Sequence, residues 1–214
     1  MLQAALFDLD GVVFNTEPQY TEFWGRTCRT YRPDLPGLEH TIKGQTLTQI
    51  FDQYFSDEAD RRLIVDELNY FEQNMRFDYI DGFLDYLSQL RASGVTTAVV
   101  TSSNQAKMQS VYRQHPEFTL LFDAILTAED FAESKPHPDC YLRAAARFGA
   151  PVDACVVFED SINGLKSGRA ARMCVIGLAT TLPAEVITPL ANDVISDYTT
   201  LSVKKTEQIM SLSR

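Results

Sequence analysis

The chain reads as an α/β protein, a doubly wound parallel sheet with a bundle of helices inserted after its first strand. Three observations predict this. Short apolar runs alternate with amphipathic stretches along most of the chain, the pattern of a parallel sheet covered on both faces. One block, residues 16–79, has apolar residues at helical spacing only. The first apolar run stops on two aspartates, Asp8 and Asp10, at the carboxyl edge where open parallel sheets bind ligands.

In chain order, strands are expected over residues 2–9, 96–101, 124–127, 154–158 and 173–178, with a short edge strand at 193–196. Helices are expected over 82–93, 104–115, 139–148 and 163–172. Pro138 and Asp139 suit the first turn of the third of these, since Pro needs no N–H donor there and a carboxylate favours the positive helix end. In the inserted block Phe23, Trp24, Ile50, Phe51, Tyr54, Phe55, Leu63, Ile64, Leu68, Phe71 and Met75 recur at helical periodicity. This divides the chain into an α/β core, residues 1–15 and 80–214, and a helical domain, residues 16–79. Thr16 and Asp81 are expected to flank the two connecting segments.

At 214 residues and 45% hydrophobic content the chain can bury one substantial core plus a small inserted domain. It has no apolar run near the roughly 20 residues needed to span a bilayer, and its N-terminus lacks a basic leader. Four scattered cysteines (Cys28, Cys140, Cys155, Cys174) without a CxxC pair read as reduced thiols in a cytoplasmic protein. A net charge of −10 disfavours nucleic acid and anionic membrane as partners. A monomer acting on a small molecule is the expectation.

The strand ends carry the chemistry. Asp8 and Asp10 lie side by side, an unfavourable pairing that a divalent cation relieves. Gly11 lets the chain turn there. After the second core strand come Thr101, Ser102, Ser103 and Asn104, hydroxyls at a helix start that suit phosphate oxygens. Lys135 precedes Pro136, which restricts its backbone. After the fourth strand come Glu159 and Asp160. Oxygen donors in this number suit Mg²⁺. Zinc is disfavoured, because the three histidines (His40, His115, His137) show no ligand spacing. Lys135 alone would read as a surface lysine and Glu159-Asp160-Ser161 as a helix cap; it is the set that indicates function.

Four motifs in order, FDLDGVVFNTE, VVTSSN, SKPHPDCY and FEDSINGLKSGRAA, each at a strand end, resemble those of the haloacid dehalogenase superfamily. The branch resembled contains phosphatases and β-phosphoglucomutases with a helical cap after the first motif. The resemblance implies a Rossmann-like core and Mg²⁺-dependent phosphoryl transfer. It makes Asp8 the nucleophile and Asp10 the general acid and base. Asp8, Leu9, Asp10, Thr101, Ser102 and Lys135 would hold the phosphoryl group, Ser102 through its backbone N–H. Asp8, Asp10, Glu159 and Asp160 would hold the metal, Asp10 through its backbone carbonyl and Glu159 directly or through water.

Within this branch, Asp10 argues against dehalogenation, since a departing halide needs no proton. IKGQTL (42–47) resembles the cap loop of the mutases. Their cap histidine and loop arginine, however, align with Tyr20 and Leu47, which favours a phosphohydrolase over a sugar phosphomutase. Glu17, Gln19, Lys43, Gln45 and Thr46 are the expected cap contacts to a small phosphorylated metabolite. A phospho-accepting signalling module and a non-catalytic metabolite-binding protein stay open as other classes.

Overall fold

The computed structural model describes residues 1–212. Six strands form one sheet: β1 (Ala4–Phe7), β2 (Thr96–Val100), β3 (Ala124–Leu126), β4 (Cys155–Glu159), β5 (Cys174–Leu178) and β6 (Asp193–Ile195). Their order is β3-β2-β1-β4-β5-β6 and every pairing is parallel. The strand order reverses between β1 and β4, which opens a crevice above their carboxyl ends. The register aligns those ends: Phe7 pairs with Val99 on one side and Phe158 on the other.

Side chains alternate between the two faces of the sheet. Ala5, Phe7, Val99, Val156, Phe158 and Ile176 pack on one face against α5 (Phe83–Ala92), α6 (Gln105–Gln114) and α11 (Val203–Leu212). Ala4, Leu6, Ala98, Val100, Val157 and Val175 pack on the other against α8 (Asp139–Phe148), α9 (Ile162–Ala170) and α10 (Ala184–Ile187). A single turn, α7 (Phe118–Leu121), precedes β3. Burial on both faces explains why the strands read as near-continuous apolar runs.

The inserted block forms α1 (Glu17–Tyr31), α2 (Leu38–Thr41), α3 (Leu47–Tyr54) and α4 (Glu58–Asn74). These helices bury a cluster of their own, with Phe23, Trp24, Cys28, Ile50, Phe51, Phe55 and Ile64 at its centre. Two chain segments lead in and out and bridge antiparallel at Phe14 and Tyr79. Asn15 N–H donates to Asp78 O at 2.8 Å and Ile80 N–H to Val13 O at 2.9 Å, tying the crossings together. Among the described residues no helix is long and apolar enough to cross a membrane.

Candidate active site

The crevice above β1 and β4 gathers the acidic residues of both halves of the sheet. Asp8 follows β1 directly, its N–H donating to Phe158 O at 3.0 Å. Lys135 arrives from the segment before α8 and is 6% exposed. Its Nζ donates to Asp8 Oδ1 at 2.6 Å, Glu159 Oε1 at 2.6 Å and Val100 O at 3.1 Å. Glu159 is fully buried at the end of β4. It also accepts from the Tyr141 hydroxyl at 2.8 Å and, through Oε2, from the N–H groups of Asp160 and Ser161. Gly164 is required beneath it, since a Cβ there would lie 1.8 Å from Glu159 Oε1.

Oxygens of Asp8, Glu159 and Asp160 lie within 4.8 Å of one another. Burial pushes the Asp8 carboxyl up to about 7, despite the Lys135 ammonium. Burial, then Glu159 and Asp8, hold Asp160 well above the usual carboxylate range. Burial alone would lower Lys135, but Asp8 and Glu159 outweigh it and hold the ammonium well above its ordinary value. One lysine therefore does not neutralise the cluster, and its oxygen donors fit Mg²⁺. Gly11, at φ +67°, keeps this space open, because a Cβ would sit 2.0 Å from Asp160 Oδ2.

Asp10 points elsewhere than the acidic cluster. Its Oδ1 accepts from Thr16 Oγ1 at 2.7 Å and its Oδ2 from Ser103 Oγ at 3.2 Å and from Lys107 Nζ. Thr101 is buried at the end of β2 and accepts from Ser103 N–H at 3.0 Å, while Asn104 caps α6 by accepting from Lys107 N–H. Ser102 is exposed at the mouth. The Leu9 side chain is buried in the core, so backbone is all it can offer a ligand.

Between core and inserted helices lies a cavity of about 980 Å³ whose lining includes Asp8, Asp10, Thr101, Ser102, Lys135 and Asp160. From the helical side Glu17, Lys43, Gln45 and Thr46 line it, together with Tyr20, Trp24, Glu39, Leu47 and Glu72. Lys43 is paired with Glu17 at 3.8 Å. Gln19 does not line it: its amide bonds the Arg76 backbone at 2.8 and 2.9 Å. The helical period explains this correction, since residues 17, 20, 21 and 24 share one face of α1 and residue 19 lies on the opposite side.

Three contributors escaped the sequence reading: Lys107, Tyr141 and Thr181, whose hydroxyl donates to Asp160 Oδ2. Thr181 lies just past β5 and could have been found by the strand-end rule. Lys107 had a subtler signal. A cation in the first turn of a helix opposes the macrodipole and calls for a compensating anion.

The family profile of haloacid dehalogenase-like hydrolases matches residues 2–172. A probable pseudouridine-5'-phosphatase of Saccharomyces cerevisiae is 30% identical over 237 residues, covering 100% of this chain and 94% of the relative. The Arabidopsis thaliana protein SUPPRESSOR OF QUENCHING 1, chloroplastic, is 27% identical over 206 residues; 92% of this chain matches only 20% of that longer protein. A solved family IA, variant 3 hydrolase from Entamoeba histolytica superposes with a TM-score of 0.85 at 22% identity, covering 98% of this chain and 100% of that one. The chain belongs to the haloacid dehalogenase-like hydrolases, and its named relatives put it on the phosphatase side of that family.

Proposed function

We propose that this chain is a Mg²⁺-dependent phosphohydrolase that cleaves a small phosphorylated metabolite through an aspartyl-phosphate on Asp8. The observation that carries the reading is the convergence of Asp8, Lys135 and Asp160 on one crevice, with Asp10 held beside it by a separate set of donors.

Asp8 attacks phosphorus and the ester P–O bond breaks. The departing oxygen takes its proton from Asp10, which then removes a proton from the water that hydrolyses the acyl phosphate and releases inorganic phosphate. Lys135 favours the ionised nucleophile and offers positive charge to phosphoryl oxygens. The Thr101 hydroxyl and the N–H groups of Leu9 and Ser102 hold the remaining oxygens. Asp8, Asp160 and the Asp10 carbonyl would hold Mg²⁺, with Glu159 anchoring Lys135 behind them. When bound, the ion neutralises charge on the phosphoryl group.

Residues 16–79 act as the lid that excludes water and meets the leaving group. Glu17, Lys43, Gln45 and Thr46 offer it polar groups, whereas Leu47 presents apolar surface where a mutase would place an arginine. The size of the cavity supports a small metabolite. Four buried cysteines without a disulfide among the described residues support a cytoplasmic setting.

The test is phosphate release from p-nitrophenyl phosphate with Mg²⁺. Many turnovers per chain are expected, and Asp8→Asn should lower kcat by at least ~10³-fold. Near-normal hydrolysis by Asp8→Asn would exclude the covalent route. One stable phosphoryl group per chain, without turnover, would return the chain to the phospho-acceptor class.

A further inference from the structure

Lys107 is a buried cation that the mechanism above leaves without a role. It lies in the first turn of α6 and is 4% exposed. Besides Asp10, its Nζ reaches the Tyr20 hydroxyl at 2.6 Å and sits 4.9 Å from the centre of the Tyr20 ring. Tyr20 in turn donates to Glu72 Oε1 at 2.7 Å. A continuous chain of contacts thus runs from Asp10 and Lys107 on the core to Tyr20 on α1 and Glu72 on α4.

We propose that Lys107 is a positioning residue for Asp10: held by the Tyr20 hydroxyl, its ammonium fixes the orientation of the Asp10 carboxylate in the cavity. The inference rests on the reading of Asp10 as general acid and base.

Geometry favours this over simple packing. The carboxylate is met from three elements: by Thr16 at the cap entrance, Ser103 after β2 and Lys107 on α6. A lysine stem ends in a flexible point charge that does not define its own position. Tyr20 supplies the constraint through its hydroxyl, which accepts from the ammonium at 2.6 Å and is itself held by Glu72. A methionine of similar length would keep the volume of the stem and remove only the charge. Asp10 keeps 23% of its side-chain surface in contact with solvent, so removing Lys107 does not strand a buried anion. Placing a lysine here therefore serves the acid and does little for the fold.

The experiment compares kcat/KM for p-nitrophenyl phosphate and phenyl phosphate, both with Mg²⁺. This parameter reports steps up to ester cleavage. p-Nitrophenolate departs readily without a proton, whereas phenolate gains from one. In Asp10→Asn the preference for p-nitrophenyl phosphate should rise by ~10²-fold. In Lys107→Met it should rise ~10-fold with an unchanged or higher melting temperature, and in Tyr20→Phe ~3-fold, the smaller value reflecting a looser ammonium still in contact with Asp10. A Lys107→Met preference equal to wild type, alongside a raised one in Asp10→Asn, would overturn the positioning role alone. So would a wild-type preference in Tyr20→Phe if Lys107→Met does not fold. An unchanged preference in Asp10→Asn itself would remove the general-acid reading on which the inference stands.

Discussion

Asp160 carries more electrostatic strain than any single element of the fold requires. Thr181 donates to it, but burial and two neighbouring carboxylates oppose its ionisation. The linkage follows from that direction. A carboxyl whose folded-state value is raised holds its proton in the native chain after the unfolded chain has released it, so stability falls as pH rises through that window. Each pH unit inside the window costs up to about 1.4 kcal/mol, or about 3–6 °C in a chain of this length. Asp8, pushed up to about 7, acts in the same direction. In chelator, the wild type should therefore melt lower at pH 8 than at pH 5, and Asp160→Asn should lose about half of that decline. Added Mg²⁺ should restore the wild type at pH 8 and have little effect on the variant. Identical melting profiles for the two proteins would mean that Asp160 is not the strained group.

A second tie between cap and core joins α9 to the loop before α3. Asn163 Nδ2, in the first turn of α9, donates to Gly44 O at 3.2 Å and to Gln49 Oε1 at 3.0 Å. Gln49 also completes the capping box with Thr46 that starts α3. Asn163→Ala removes both ties, worth about 1–2 kcal/mol together. It should raise KM for a phosphate monoester about five- to thirty-fold and leave inhibition by inorganic phosphate unchanged, because phosphate needs only the core. Equal losses for both ligands would place the role of Asn163 within the core. Legibility in the sequence also divides by element. The strands were readable because burial on both faces leaves only apolar residues between punctuating turns. The catalytic rim was readable because parallel topology sends Asp8, Thr101 and Glu159-Asp160 to one edge. α7 and α10, each a single turn of four residues, are too short to show a period. Lys107 was not readable as a partner of Asp10, because a helical lysine ordinarily reads as solvated and the two lie 97 residues apart. Gln19 was misplaced by treating proximity to the first motif as proximity to the cavity, when the helical period turns it away.

At the scale of the molecule, charge separates two kinds of substrate. The net charge of −10 repels anions at a distance, and the cap half of the cavity repeats that sign with Glu17, Glu39 and Glu72. Lys43, the cation on that side, is already paired with Glu17. Burial raises Glu17 above its ordinary range despite Lys43, another sign that positive charge is scarce there. A second phosphate entering this half would meet carboxylates without a free ammonium, whereas the hydroxyls of a neutral leaving group would find acceptors. The expectation is that kcat/KM for a hexitol monophosphate exceeds that for a hexose bisphosphate by at least ~10-fold, about 1.4 kcal/mol. Raising salt should narrow the gap through screening, and Glu39→Lys should narrow it at constant salt. With glucose 1-phosphate the same logic predicts glucose and inorganic phosphate as products, since transfer back to the sugar requires the cap to accept a bisphosphate. Preferential turnover of the bisphosphate, or accumulation of glucose 6-phosphate, would show that the cap reads a second phosphate by contacts other than charge.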